Sequence, residues 1–189
     1  MPYASSPDCY HEPLLLDSIR LIRLLPNEDK KAPIQCELFH CSLQDLSKRM
    51  HPYDALSYVW GDPSKPHPMF VREHNSKSGQ NLQVTKNLHE ALLRLRNCFV
   101  ERILWIDAVS INQKDEQEKE QQIQFMAKIY AQANRVIVWL GETADNSDQA
   151  LQEIRNAGGK EIKNSLEDET IQQAVTALLQ RPWFRRIWV

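Results

Sequence analysis

Glycine is scarce, with five in 189 residues. None fall in a G-x-G-x-x-G or Walker arrangement, so the backbone phosphate cradles of dinucleotide-dependent dehydrogenases and P-loop enzymes are not expected. Cysteine is scarcer still. Cys9, Cys36, Cys41 and Cys98 form no C-x-x-C pair and are too few for a disulfide framework, which predicts reduced thiols inside a cell. The six histidines, His11, His40, His51, His67, His74 and His89, lack H-x-x-x-H spacing, and no metal site is predicted. Long apolar runs are missing: Leu14 to Leu16 is the longest near the start, and Val136 to Leu140 is far too short for a bilayer, so neither a secretion signal nor a membrane segment is expected. Charge of either sign is not in excess, with 23 basic and 25 acidic residues, which argues against nucleic-acid or anionic-membrane partners. Ser57 lacks the flanking glycines of a hydrolase elbow.

What is present suits one folded domain: 42% hydrophobic and 25% charged residues on a chain long enough to bury a core. Residues 1–13 carry three prolines and read as an arm laid over a domain spanning 14–189. Ser18 to Leu25 and Ile34 to Cys41 are strand-like runs joined across the polar stretch Pro26 to Pro33, an antiparallel N-terminal addition. Asp54 to Trp60 is a third strand, stopped by Gly61, Asp62 and Pro63. Ser64 to Gln80 reads as loop around one short strand at Met69 to Val71. Leu88, Ala91, Leu92, Leu95 and Phe99 follow Thr85 at helical spacing.

Ile103 to Ile106 and Val136 to Leu140 are nearly continuous apolar runs, the pattern of strands covered on both faces. Between them Asp115 to Gln132 is helical, with Ile123, Met126, Ile129, Tyr130 and Ala133 as its expected inward stripe, which makes a βαβ unit. Helices at Ser147 to Asn156 and Glu169 to Gln180 complete the chain. The expected fold is therefore α/β, a mainly parallel sheet flanked by helices.

Ligands of open α/β sheets sit beyond the carboxyl ends of the strands. Three polar clusters fall there: Gly61 and Asp62; Asp107, Ser110, Asn112 and Gln113; Gly141 and Glu142. Each has a plainer reading as well. Asp62 before Pro63 suits a turn, Asn112 and Gln113 suit entry into the next helix, and Glu142 suits a solvated strand end. Asp107 stands out, because a carboxylate abutting a buried strand needs a partner or a site at the rim. Asp115 and Glu118 have capping-box spacing. Trp105 and Trp139 lie in apolar strands and read as core, whereas Trp60 is placed to line a site. Arg181, Arg185 and Arg186 flank an aromatic pair and read as arginines lying over apolar surface.

The run Tyr53-Asp54-Ala55-Leu56-Ser57-Tyr58-Val59-Trp60-Gly61-Asp62 closely resembles the opening signature of the HET (heterokaryon incompatibility) domain of fungi. A second block is similar over Leu104 to Asp107, Ile111 to Gln113, Asp115, Glu118, Gln122, Met126, Ile129, Tyr130 and Val136 to Glu142, and Arg181 to Val189 resembles the third. Two departures stand out. Ser110 occupies a position that is commonly cysteine in the family, and the third block stops at Val189, so the domain is expected to be incomplete at its C-terminus.

The resemblance implies a cytoplasmic self/non-self recognition module that triggers programmed cell death. It also implies a TIR-like, flavodoxin-like fold. Some TIR domains cleave NAD, so NAD is implied as a substrate rather than a bound cofactor, with Asp107 and Glu142 as catalytic carboxylates. Trp60, Gly61, Asp62, Ser110, Asn112 and Gln113 are the expected ligand contacts. The alternative is a non-enzymatic module acting through self-association, effectors, or other domains of a larger parent.

Overall fold

The computed structural model describes residues 9–10, 12–44, 53–74, 79–158 and 169–186. The chain divides into two compact units, Met1–Trp139 and Leu140–Val189.

In the first unit, strands β1 (Ser18–Leu24), β2 (Gln35–Ser42), β3 (Asp54–Tyr58), β4 (His67–Glu73), β5 (Gly79–Val84), β6 (Arg102–Trp105) and β7 (Arg135–Trp139) form one sheet in the order β5-β4-β2-β1-β6-β3-β7. β3, β6 and β7 are mutually parallel, with β3 in the middle. β1 runs antiparallel to both β2 and β6, while β2 and β4 are parallel and β4 and β5 antiparallel. The sheet is thus mixed, its parallel part concentrated at the end carrying β3, β6 and β7. The expected βαβ unit has β6 and β7 parallel, but β3 lies between them.

The short strand expected at Met69 to Val71 is present and longer, as β4, and it pairs with β5, which begins at the end of the expected loop and runs to Val84. Their sequences, HPMFVRE and GQNLQV, bury few residues, and β5 is an edge strand. Half-exposed edge strands tolerate the polar residues that make a sequence read as loop.

Period-two alternation gives the sheet two apolar faces. Ile22, Leu24, Leu56, Tyr58, Leu104 and Ile106 belong to one cluster, together with Leu88, Ala91 and Leu92 of helix α1 (Lys86–Leu95). Ile19, Leu21, Tyr53, Ala55 and Trp105 belong to the other, with Ile129 of helix α3 (Glu116–Gln132). Fully burying a large apolar side chain of this kind contributes roughly 1.5–3 kcal/mol. Thr85 caps α1 by accepting from Leu88 N–H. The helix ends at Leu95, short of the expected Phe99, which is 76% exposed. It stops there because Arg96 is extended and turns its guanidinium to the carbonyls of Asp29, Lys30, Ala32 and Pro33.

Helix α2 is a single turn, Asp107–Ser110, that follows β6. Asp115 caps α3 by accepting from the N–H groups of Gln117 and Glu118. Most of the stripe expected on α3 packs inward, with Ile129 and Ala133 buried and Met126 and Tyr130 packed against the same cluster, but Ile123 is exposed and Glu118 and Gln122 are buried as well. Specific partners bring the two polar residues inside. Glu118 meets Arg20 in a buried ion pair, and Gln122 Nε2 donates to the Ser18 carbonyl at 2.9 Å.

The second unit packs helix α4 (Ser147–Gly158) with helix α5 (Glu169–Leu179) through Ala150, Ala174 and Leu178, with Leu140, Leu151 and Val175 around them. No helix among the described residues is long and apolar enough to cross a membrane.

Candidate functional site

Because β3, β6 and β7 are parallel, their carboxyl ends share one edge of the sheet. The chain reaches β6 from α1 on one face and β7 from α3 on the other, so the change of face falls at β3. That is the position at which open α/β sheets leave a crevice.

Two of the expected clusters meet here. Trp60, 43% exposed just beyond β3, donates its indole N–H to Asp107 Oδ2 just beyond β6, at 2.8 Å. The other carboxylate oxygen of Asp107 accepts from Ala108 N–H at 2.7 Å. Asp107 opens α2, where the first-turn N–H groups favour an acidic residue. Gly61 has φ +78, a left-handed conformation that disfavours any side chain, and a Cβ there would lie 3.3 Å from Cβ of Asn87.

Asn87 was not a candidate from sequence, yet it joins two strand ends. Its amide nitrogen donates to the Val59 carbonyl and its amide oxygen accepts from the indole of Trp139 at 2.8 Å. Both rim tryptophans are therefore held by polar groups: Trp60 by Asp107, Trp139 by Asn87. The sequence signal for Asn87 is slight, a polar residue two positions after the cap of α1, because its partners lie 28 and 52 residues away.

The remaining candidates divide. Gln113 Nε2 donates to the Asp107 carbonyl at 3.0 Å, bracing the turn. Asn112 Oδ1 accepts from Lys114 N–H, while the backbone N–H of Asn112 donates to Glu118 at 2.7 Å. Glu118 therefore does not reach back to Asp115 as a capping box would; it is drawn to Arg20 and Asn112 instead. Ser110 is fully buried, its hydroxyl accepting from Ile106 N–H at 3.1 Å. Asp62 accepts from both the hydroxyl and the N–H of Ser64, bonds that hold its carboxyl below the usual range.

Gly141 and Glu142 belong to the second unit. Glu142 is exposed, and Gly141 is left-handed at φ +99. Arg181 straddles this loop, donating to the carbonyls of Leu140 and Ala144 at 3.1 Å each. Its charge is thus directed to backbone oxygens within its own unit. No cluster of three or more metal-ligating side chains occurs among the described residues.

The model of the family described as heterokaryon incompatibility protein (HET) matches residues 53–189, which contain the rim just described. Among curated relatives, heterokaryon incompatibility protein 6, OR allele, of Neurospora crassa is 30% identical across 90% of this chain. The alignment covers 31% of that relative's own length, so this chain spans about a third of it. No solved structure matches the chain. The chain belongs to the HET domain family, a family linked to fungal self/non-self recognition.

Proposed function

We propose that this chain is the signalling domain of a fungal incompatibility protein, acting in the cytoplasm to trigger programmed cell death, and that its rim acts on NAD. The observation that carries the proposal is the Trp60–Asp107 pair: an indole exposed at the strand ends and fixed by a carboxylate at 2.8 Å. A fixed, exposed aromatic face is what a flat ring stacks on at little ordering cost. Nicotinamide and adenine are such rings.

The reaction would be hydrolysis of the nicotinamide–ribose bond, in line with the resemblance to TIR domains. The C–N electron pair leaves with nicotinamide, which becomes neutral, while water adds to the ribose carbon and loses a proton. A carboxylate near the ribose stabilises the positive charge that develops there, as in glycoside hydrolysis. Asp107 is the proposed carboxylate of the rim; Glu142, which belongs to the second unit, is a separate candidate tested by itself. Trp60, Gly61, Asp62, Asn112 and Gln113 remain the proposed ligand contacts. Ser110 is not among them, since it is fully buried, its hydroxyl accepting from Ile106 N–H and its own N–H donating to the Ile106 carbonyl.

Two observations favour a second reading, a non-enzymatic module that signals by self-association or by contact with other domains of a longer parent. Both oxygens of Asp107 are already engaged, and the outermost strand, β7, exposes Val136 and Val138.

Nicotinamide release from NAD separates the two. The chain, a version lengthened beyond Val189, and Asp107→Ala and Glu142→Ala variants of each should be assayed together. The enzymatic reading expects turnover in the lengthened protein and its loss in at least one variant. Absence of turnover in the lengthened protein overturns it. Light scattering across a concentration series tests the second reading, which a strictly monomeric lengthened protein contradicts.

A further inference from the structure

One buried arginine ties the segment before β1 to the turn that carries Asp107. Arg20, on β1, is almost fully buried. Its guanidinium donates to Glu118 on α3 at 2.5 Å and to the backbone carbonyl of Glu12 at 3.1 Å, and it lies 4.9 Å over the ring of Tyr10. The Glu118 oxygen that receives Arg20 also receives the backbone N–H of Asn112. Tyr10 in turn donates its hydroxyl to the Val109 carbonyl at 3.0 Å.

Val109 lies within α2 and Asn112 just after it, so the turn that begins at Asp107 is held by Tyr10 and by Glu118, two residues that converge on Arg20. Burial raises the phenol of Tyr10 far above its ordinary range, which keeps the proton the bond to Val109 requires. Cys9, beside it, is buried in the core cluster that contains Val109.

We propose that the Cys9-Tyr10 and Glu12 part of the N-terminal arm is a latch on the Asp107 turn, and that Tyr10 and Glu118 are positioning residues for Trp60. Removing the Tyr10 hydroxyl frees the Val109 carbonyl and loosens α2. Asp107 rides on that turn, so its hold on the Trp60 indole loosens with it. The rim is then adjustable from the N-terminus, by any event that draws the arm away, without contact at the rim itself. None of this depends on what the rim binds.

The test uses the whole chain, labelled with nitrogen-15 at its tryptophan indoles, with the Trp60 resonance assigned through Trp60→Phe. Tyr10→Phe and Glu118→Gln are compared with Arg96→Ala, which disturbs the distant Pro26 to Pro33 loop. The latch expects Tyr10→Phe to shift the Trp60 indole resonance and to speed amide exchange over residues 107–113 about tenfold. Arg96→Ala should lower stability while leaving both unchanged. Wild-type indole shift and wild-type exchange in Tyr10→Phe would overturn the proposal, as would an equal change in Arg96→Ala. If Glu118→Gln does not fold, Tyr10→Phe decides alone.

Discussion

The three parallel strands carry a buried or half-buried aspartate at each end, and the two are used in opposite ways. At the amino ends, Asp54 is 7% exposed and receives Arg135 through Nε and Nη2 at 3.1 and 3.0 Å, Asn134 at 3.2 Å, and Arg102 at 3.6 Å. At the carboxyl ends, Asp107 receives an indole N–H and a backbone N–H. The first carboxylate is enclosed by cations and amides and joins β3, β6 and β7 to one another. The second holds an aromatic side chain out at the edge. An aspartate at a strand end is thus a clamp or a holder according to whether its neighbours bring charge or an exposed ring.

Removing each aspartate should expose that contrast. Asp54→Ala leaves two guanidiniums facing each other without their carboxylate and should cost about 2–3 kcal/mol in urea unfolding, while Trp60 stays as protected from acrylamide as in the wild type. A smaller loss, with a large change at the rim, is expected for Gly61→Ala. The left-handed backbone disfavours a side chain by about 1–2 kcal/mol, and the new methyl presses on Asn87, so the Trp60 and Trp139 emissions should both shift. Asp107→Ala should lower stability by only about 1 kcal/mol yet raise acrylamide quenching of Trp60 the most of the three. Equal quenching in Asp54→Ala and Asp107→Ala would erase the distinction between clamp and holder.

A further effect, absent at neutral pH, bears on neither end, because Cys36 lies on β2. Burial pushes the Cys36 thiol up to about 12, so above its ordinary value near 9 the unfolded chain has released a proton that the folded chain retains. The unfolded state then binds fewer protons, and stability must fall as pH rises from 9 toward 12. A urea midpoint that declines over that range, with less decline in Cys36→Ala, is the expected result.

Much of this arrangement was readable from residue order, and what was not has a physical reason. The apolar runs at β6 and β7 mark the two parallel strands, although β7 proves to be the outermost strand, with Val136 and Val138 exposed rather than covered; Asp107 stands out as a carboxylate abutting a buried strand, and Trp60 as an aromatic placed to line a site. Ladder and rim then agreed. That β3 inserts between β6 and β7 was invisible, since pairing partners leave no mark in local periodicity. On α3 most of the inward stripe is legible, but Glu118 and Gln122 look like surface residues until Arg20 and the Ser18 carbonyl are seen opposite them. Asn87 escaped notice for the same reason: an amide that bridges distant elements resembles any helix surface residue.

The central place of β3 also governs the order in which the molecule can be completed. Asp54 meets Arg135 81 residues later, and β3 has no paired neighbour until β6 and β7 exist. A growing chain therefore carries its signature segment as an unpaired, apolar strand until β6 and then β7 have been made, the kind of exposure that slows folding and invites aggregation. The Trp60–Asp107 bond can form only once the end of β6 has delivered Asp107. A folding time course followed at Trp60 would therefore read the pairing of distant segments rather than the formation of local structure.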